Sequence, residues 1–347
     1  MATGFAAYRG VQVAHTYHNV SAGSVTEADA MQPLYRDLAA RLRASQPNGE
    51  IVLLASPNAS TGVGYFGRFK TIGTLYWENL AGLEGAAEIF AARTDEEARA
   101  LVRARGITHI VVTSRPEFLR DFDRMVRPGA SPEDLRTTFG YRLLHEELPP
   151  WLEPLPFRPP LVASWHNLLV LPMQVVPDQS EPEALRHLAA AQLAMGDTAG
   201  AEASIQRRAA AVAPARRADV LLESAELAYQ WHAHGLAVRL YGGLIDLKAG
   251  AGAAVNLAWI LATSGDDGVR SGPAALSLIG PIASGHPDDA AVLEVLAAAL
   301  AETGRFREAS DAETRAVGRF TDAGDAAAVE RARRRLASYN AGQPWRE

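Results

Sequence analysis

The chain has 347 residues, 48% of them hydrophobic and 21% charged, with 40 acidic against 34 basic residues and a net charge of -6. That length suits two domains, each with its own core, and the acidic balance argues against a nucleic-acid or anionic-membrane partner, both of which need a basic face. Cysteine is absent, which excludes disulfides, thiolate zinc sites and cysteine nucleophiles together.

Residues 1–29 show no long apolar core ahead of a cleavage site, so no signal peptide is expected. Phe5, Tyr8 and Val11 share one helical face, and the stretch reads as an N-terminal helix or linker. Residues 30–44 carry Met31, Leu34, Leu38 and Leu42 at three- and four-residue steps, an amphipathic helix that the following Pro-Asn-Gly breaks. The continuous apolar run IVLLA at 51–55 predicts a strand buried on both faces. The glycine-rich GVGYFG at 62–67 lacks the Lys-Ser/Thr ending of a phosphate loop and is expected to form a tight turn. A second strand is expected over 71–77, and helices over 80–92 and 95–105, the latter opened by Thr94 and three acids. Gly106 stops that helix ahead of a third strand, ITHIVVT, at 107–113. Helical patterns follow at 116–126 and 131–139. Residues 149–160 hold six prolines in twelve positions and read as an extended wrap, not a helix or central strand. A last strand is expected at 168–176, with Pro172 placing it at an edge or a bulge. Strands alternating with helices predict a small Rossmann-like α/β domain with a mostly parallel sheet over 30–178.

From about residue 179 to 340 alanine dominates and strand patterns vanish. Helical segments are separated by breaks near 196–197, 213–214, 234–235, 249–252, 264–272, 285–287 and 304. The uncharged stretch 249–265 carries three glycines and Asn256, and reads as a buried repeat helix in preference to a membrane span. Two stretches, from Leu185 and from Leu293, align without gaps. Leu188 precedes Gly196 by eight residues and Leu296 precedes Gly304 by eight; Ala201 and Ala309 each follow the glycine by five. Small residues let paired helices approach, a glycine turns the chain, and one hairpin cannot bury its apolar face alone, so the units must stack.

This pattern resembles the tetratricopeptide repeat. Phe306 falls on that repeat's aromatic turn position and Tyr241 on the aromatic of its second helix. Glu313 and Ile205 stand where the second-helix aromatic is expected, and Gly235 lies closer to Ala237 than the pattern asks. The resemblance implies a surface for a protein or peptide partner.

The densest polar and aromatic cluster of the first half is Asn58, Tyr65, Arg68, Tyr76, Trp77, Glu78 and Asn79. Ligands of open parallel sheets bind at strand ends, and aromatics with amide and charged groups suit a sugar or peptide. The competing reading is that Tyr76 and Trp77 fill the core while Glu78 and Asn79 cap the next helix. The same segment, SPN…YFGRF…GTLYWEN, ahead of ITHIVV and helical repeats, resembles the soluble C-terminal region of bacterial membrane glycosyltransferase- and oligosaccharyltransferase-like proteins. That resemblance implies an extracytoplasmic tail joined to the membrane through an upstream segment, with residues 1–29 as a juxtamembrane remnant, and it carries no catalytic residue over. The function expected is therefore a non-catalytic interaction module, without cofactor or nucleic-acid partner. The alternative is a small enzyme or sugar- or nucleotide-binding domain using 58–79. Asn19-Val-Ser21 and Asn58-Ala-Ser60 fit the glycosylation triplet. The pairs His15/His18 and His232/His234 lack a third ligand at a telling spacing, so no metal site is expected.

Overall fold

The computed structural model describes residues 26–74, 79–114, 117–164, 168–247 and 250–347. The chain divides into two compact units, Met1–Asp197 and Thr198–Glu347.

In the first unit, helix α1 (Glu27–Ser45) opens with a capping box between Thr26 and Asp29. Strand β1 (Val52–Leu54), helix α2 (Pro57–Gly67), strand β2 (Lys70–Ile72), helices α3 (Leu80–Ala91) and α4 (Asp95–Ala104) and strand β3 (His109–Thr113) follow. Helices α5 (Glu117–Val126), α6 (Pro132–Arg136) and α7 (Phe139–Leu144) lead to strand β4 (Leu152–Pro154), the short helix α8 (Leu161–Ser164), strand β5 (Val170–Val175) and helix α9 (Glu181–Met195).

The sheet runs β2-β1-β3-β5-β4 and is mixed, which corrects the mostly parallel, Rossmann-like expectation. β2, β1 and β3 are parallel neighbours, joined by the helical crossovers that parallel pairing requires. β5 is antiparallel to both β3 and β4. The proline-rich segment supplies the edge strand β4, so β5 lies inside the sheet and not at its edge. Pro172 is tolerated there for a geometric reason. The bonds Val175 N–H to Thr108 O and Ser114 N–H to Leu169 O set the alternation, which leaves the Pro172–Val111 pair without ladder bonds toward β3. The missing donor faces β4 where that strand ends, and the Pro172 carbonyl still accepts from Leu155 N–H at 2.8 Å.

Both faces of the sheet are covered, which is why its inner strands read as continuous apolar runs. Leu53 and Val111 point to one core with Leu34, Leu38 and Leu42 of α1 and Val63 of α2. Leu54, Ile110 and Val112 point to the other, with Phe90, Val102, Phe139, Trp151 and Ala191 of α9. Each fully buried leucine contributes about 1.5–3 kcal/mol.

The segment expected as a glycine-rich turn is the second half of α2. Pro57 sits at its first turn, and its glycines serve close packing instead of turning. A Cβ on Gly62 would lie 2.1 Å from the Tyr35 ring of α1, and one on Gly64 would lie 2.5 Å from Thr71.

The second unit is wholly helical among its described residues: α10 (Thr198–Ala211), α11 (Arg217–Gln230), α12 (His234–Asp246), α13 (Ala251–Thr263), α14 (Gly272–Gly285), α15 (Ala290–Glu302), α16 (Phe306–Asp322) and α17 (Ala326–Asn340). Each helix packs on the next, and α13 also packs on α15. This is the pattern of a stacked helical-repeat array. Ala201, Ala237 and Ala309 are fully buried, as close helix approach demands. The break near 234–235 falls earlier than expected. His232 takes the left-handed conformation (φ 59°) and Ala233 N–H bonds to Ala228 O, while Gly235 lies inside α12. His232 thus precedes Ala237 by five residues, the spacing of Gly304 to Ala309. Among the described residues no helix is long and apolar enough to cross a membrane.

Candidate functional site

Of the residues singled out in the first unit, Asn58, Tyr65, Arg68 and Asn79 are among the described ones. Asn58 is exposed on the opening turn of α2. Tyr65, 63% exposed, and Arg68, a left-handed residue that ends the helix, lie toward its other end, about 10 and 15 Å away at 1.5 Å per residue. Asn79 stands at the N-cap position of α3, and its Nδ2 donates to Thr74 Oγ1 at 2.9 Å. Tyr76, Trp77 and Glu78 lie outside the described residues, as do the 1–25 stretch and His15 and His18. Ser60 of the Asn58 triplet is buried, and its hydroxyl donates to Ala55 O and Ile72 O. His109 on β3 is also buried. Its Nε2 pairs with Ser45 Oγ at 3.0 Å and its Nδ1 with Thr108 Oγ1 at 2.9 Å. Burial, with Arg43 and Arg41 nearby, pushes its pKa down to about 4, which makes it a neutral core group.

The repeat-signature residues lie within the helices and at their ends. Leu188 and Gly196 belong to α9 and its left-handed end; Gly304 (φ 79°) ends α15 and Phe306 opens α16. Leu296 packs at the edge of the α15 cores, and Tyr241 is buried in α12, its hydroxyl accepting from Asn256 Nδ2 at 3.3 Å.

A more coherent arrangement lies on the second unit, where α11, α13, α15 and α17, the alternate helices of the stack, meet residues 343–347. Gly342, left-handed at φ 72°, turns the chain after α17, and Gln343 N–H closes that turn on Ser338 O at 3.0 Å. The segment then crosses the alternate helices in turn. Trp345 packs against the cluster of Leu300, Ala301 and Tyr339. Arg346 Nη2 pairs with Glu302 Oε2 of α15 at 2.6 Å, and Glu302 Oε1 also receives Arg270 at 3.3 Å. Glu347 N–H donates to Thr263 O of α13 at 2.9 Å. Its carboxylate accepts from Trp259 Nε1 of α13 at 3.1 Å and from the Tyr229 hydroxyl of α11. Trp259 Nε1 also donates to the Tyr229 oxygen at 3.0 Å. Burial, then the bond to Glu347, raises the Tyr229 pKa, so the phenol stays protonated as a donor.

Beneath this surface is a buried polar cluster. Arg335 of α17 lies over the Trp259 ring at 5.5 Å, its Nε donates to Glu313 Oε1 of α16 at 2.9 Å, and its Nη2 pairs with Glu294 of α15. Burial pushes the Glu313 carboxyl up to about 8. Glu313, the residue standing where an aromatic was expected, is thus a polar anchor matched by an arginine on the following helix. His234 Nδ1 shares a hydrogen bond with Ser264 Oγ at 2.7 Å and its ring stacks on Tyr229, which makes it a packing residue here. No metal-ligating cluster occurs among the described residues.

Tyr229, Trp259, Glu302 and Arg335 were missed in the sequence. A signal existed: Tyr229 and Trp259 are aromatics 30 residues apart, about one repeat, on alternate helices.

No protein-family model matches the chain, and a search of curated proteins finds no match. Among solved structures it is similar to the C-terminal globular domain of the oligosaccharyltransferase of Archaeoglobus fulgidus, at 19% identity and a TM-score of 0.30, over 40% of this chain and 93% of that one. At that score the similarity assigns neither topology nor activity.

Proposed function

We propose that the chain is a non-catalytic interaction module whose helical array, of tetratricopeptide type, receives an extended protein segment across α11, α13, α15 and α17. The observation that carries this reading is the run of side chains those helices turn to one face: Tyr229, Trp259 and Glu302. They offer two donors for a carboxylate and one acceptor for a cation along a line of successive helices. Aromatics with a polar tip suit such recognition, combining apolar area with a directed bond.

The sequence resemblance of about residues 30–340 to the soluble regions of membrane glycosyltransferase-like proteins supports a finer reading. In it, the module is the extracytoplasmic part of such a protein and serves its assembly. Two experiments test these levels separately. A peptide array probed with the chain should give binding that Tyr229→Ala with Trp259→Ala abolishes; unchanged binding by that variant refutes the module. The natural coding sequence should continue upstream of Met1 into membrane-spanning segments; a stop codon there refutes the membrane tail.

A further inference from the structure

Resting on the interaction-module reading, we infer that residues 343–347 are a built-in occupant of the array's binding face, and that the face takes an extended segment presenting an aromatic, a basic and an acidic residue in succession.

The contacts are those of a bound peptide. Three consecutive side chains each meet a different chemistry. Trp345 packs against the apolar cluster around Leu300 and Tyr339. Arg346 meets Glu302, itself largely buried. Glu347 is received by the Trp259 and Tyr229 donors. The main chain is held as well, through Glu347 N–H on the Thr263 carbonyl. That carbonyl is free to accept because it belongs to the last turn of α13, whose final carbonyls have no partner within the helix. A Cβ on Gly265 would lie 3.0 Å from Glu347 O, so the absence of a side chain there gives the segment room. The segment departs from α17 through the Gly342 turn, and that short tether holds it at an effective concentration of about millimolar. A free peptide of the same chemistry binding at about 100 μM would therefore meet about tenfold competition from the chain itself. Access to the face is regulated by displacing this segment.

The test uses a fluorescent peptide of residues 341–347, acetylated and amidated, with anisotropy as the readout. Two variants free the face: a chain lacking 343–347, and the full chain with Trp345→Ala and Glu347→Lys, which keeps its length. Thermal melting by circular dichroism identifies which variants stay folded. The expected result is saturable binding to both variants, about tenfold tighter than to the intact chain, and lost with a scrambled peptide. Equal binding to intact and freed chains, or equal binding of the scrambled peptide, overturns the inference. A seven-residue random display library on the folded variants separates the two levels. Capture of segments without the aromatic–basic–acidic order, sensitive to Tyr229→Ala with Trp259→Ala, leaves the module standing and overturns this inference. Capture of none overturns both.

Discussion

Replacing Arg335 with leucine leaves Glu313 inside the array without its guanidinium. The Glu313 side chain is 0% exposed and that of Arg335 7%, so neither water nor a rotamer change can substitute. Removing one partner of a buried pair costs about 3–5 kcal/mol, whereas replacing both with apolar residues is often neutral. The orphaned carboxyl can escape part of this loss by taking a proton. Burial already holds its pKa at about 8 against 4.5 in the unfolded chain, and losing Arg335 pushes it higher. A carboxyl with a raised folded pKa contributes stability that is fully present below pH 4.5 and lost as pH rises through the folded value. The deficit of Arg335→Leu should therefore be similar at pH 5 and 7, where the carboxyl is protonated with or without Arg335, and largest at pH 9. Glu313→Leu with Arg335→Leu should recover most of it, since Glu294 can still reach water. Urea unfolding at pH 5, 7 and 9, fitted with separate transitions for the two units, measures this. A single-variant loss below about 1 kcal/mol at pH 9, or a double variant as unstable as the single at every pH, would refute the reasoning.

Three further outcomes are expected. His109 has a depressed pKa, so its contribution is present above pH 6.5 and lost as pH falls toward 4; the gap corresponds to about 3 kcal/mol in the first unit. His109→Gln should flatten the acid limb of stability against pH, and an unchanged slope would place the acid sensitivity elsewhere. His232→Gly relieves a left-handed non-glycine residue at the α11–α12 turn and should stabilise by about 0.5–1 kcal/mol in thermal melts, the gain being partly offset by glycine's larger unfolded entropy. Gly62→Ala drives a methyl into Tyr35 and should destabilise by about 1–3 kcal/mol, whereas Gly243→Ala, with open space around it, should stabilise by about 1 kcal/mol. Equal effects at the two glycines would show that α2 and α1 are not in close contact at Gly62.

Much of the architecture is legible in the residues, and the exceptions have physical causes. β1 and β3 announce themselves because burial on both faces makes Ile51–Ala55 an uninterrupted apolar run and gives β3 the β-branched core Ile110-Val111-Val112. Residues 62–67 mislead because a glycine that permits a turn and a glycine that permits helix contact look alike in sequence; the partner that distinguishes them, Tyr35, is on another helix. β5 is legible as a strand in spite of Pro172, but β4 is hidden in a proline-rich segment that ends its ladder at Pro154, and with it the antiparallel direction of this half of the sheet. His232 conceals a turn because its backbone adopts the glycine conformation without the glycine. Glu313 is conspicuous in sequence as a departure from the repeat, but its partner Arg335 lies on the next helix, among other arginines that face solvent. The 58–79 cluster is dense in sequence yet its described members are spread along α2 and beyond, since a helix carries adjacent residues to opposite ends. The array face is the converse: Tyr229, Trp259 and Glu302 are remote in sequence and are assembled by stacking.

The central claim is that binding resides on the array face and not at the 58–79 strand ends. Its most direct test is titration calorimetry of a peptide selected on the chain freed of residues 343–347, against two variants of that chain. Tyr229→Ala with Trp259→Ala should abolish the binding heat, while Arg68→Ala should leave affinity within about twofold and the melting temperature unchanged. Loss of binding in Arg68→Ala, with affinity retained in the array variant, would contradict the account.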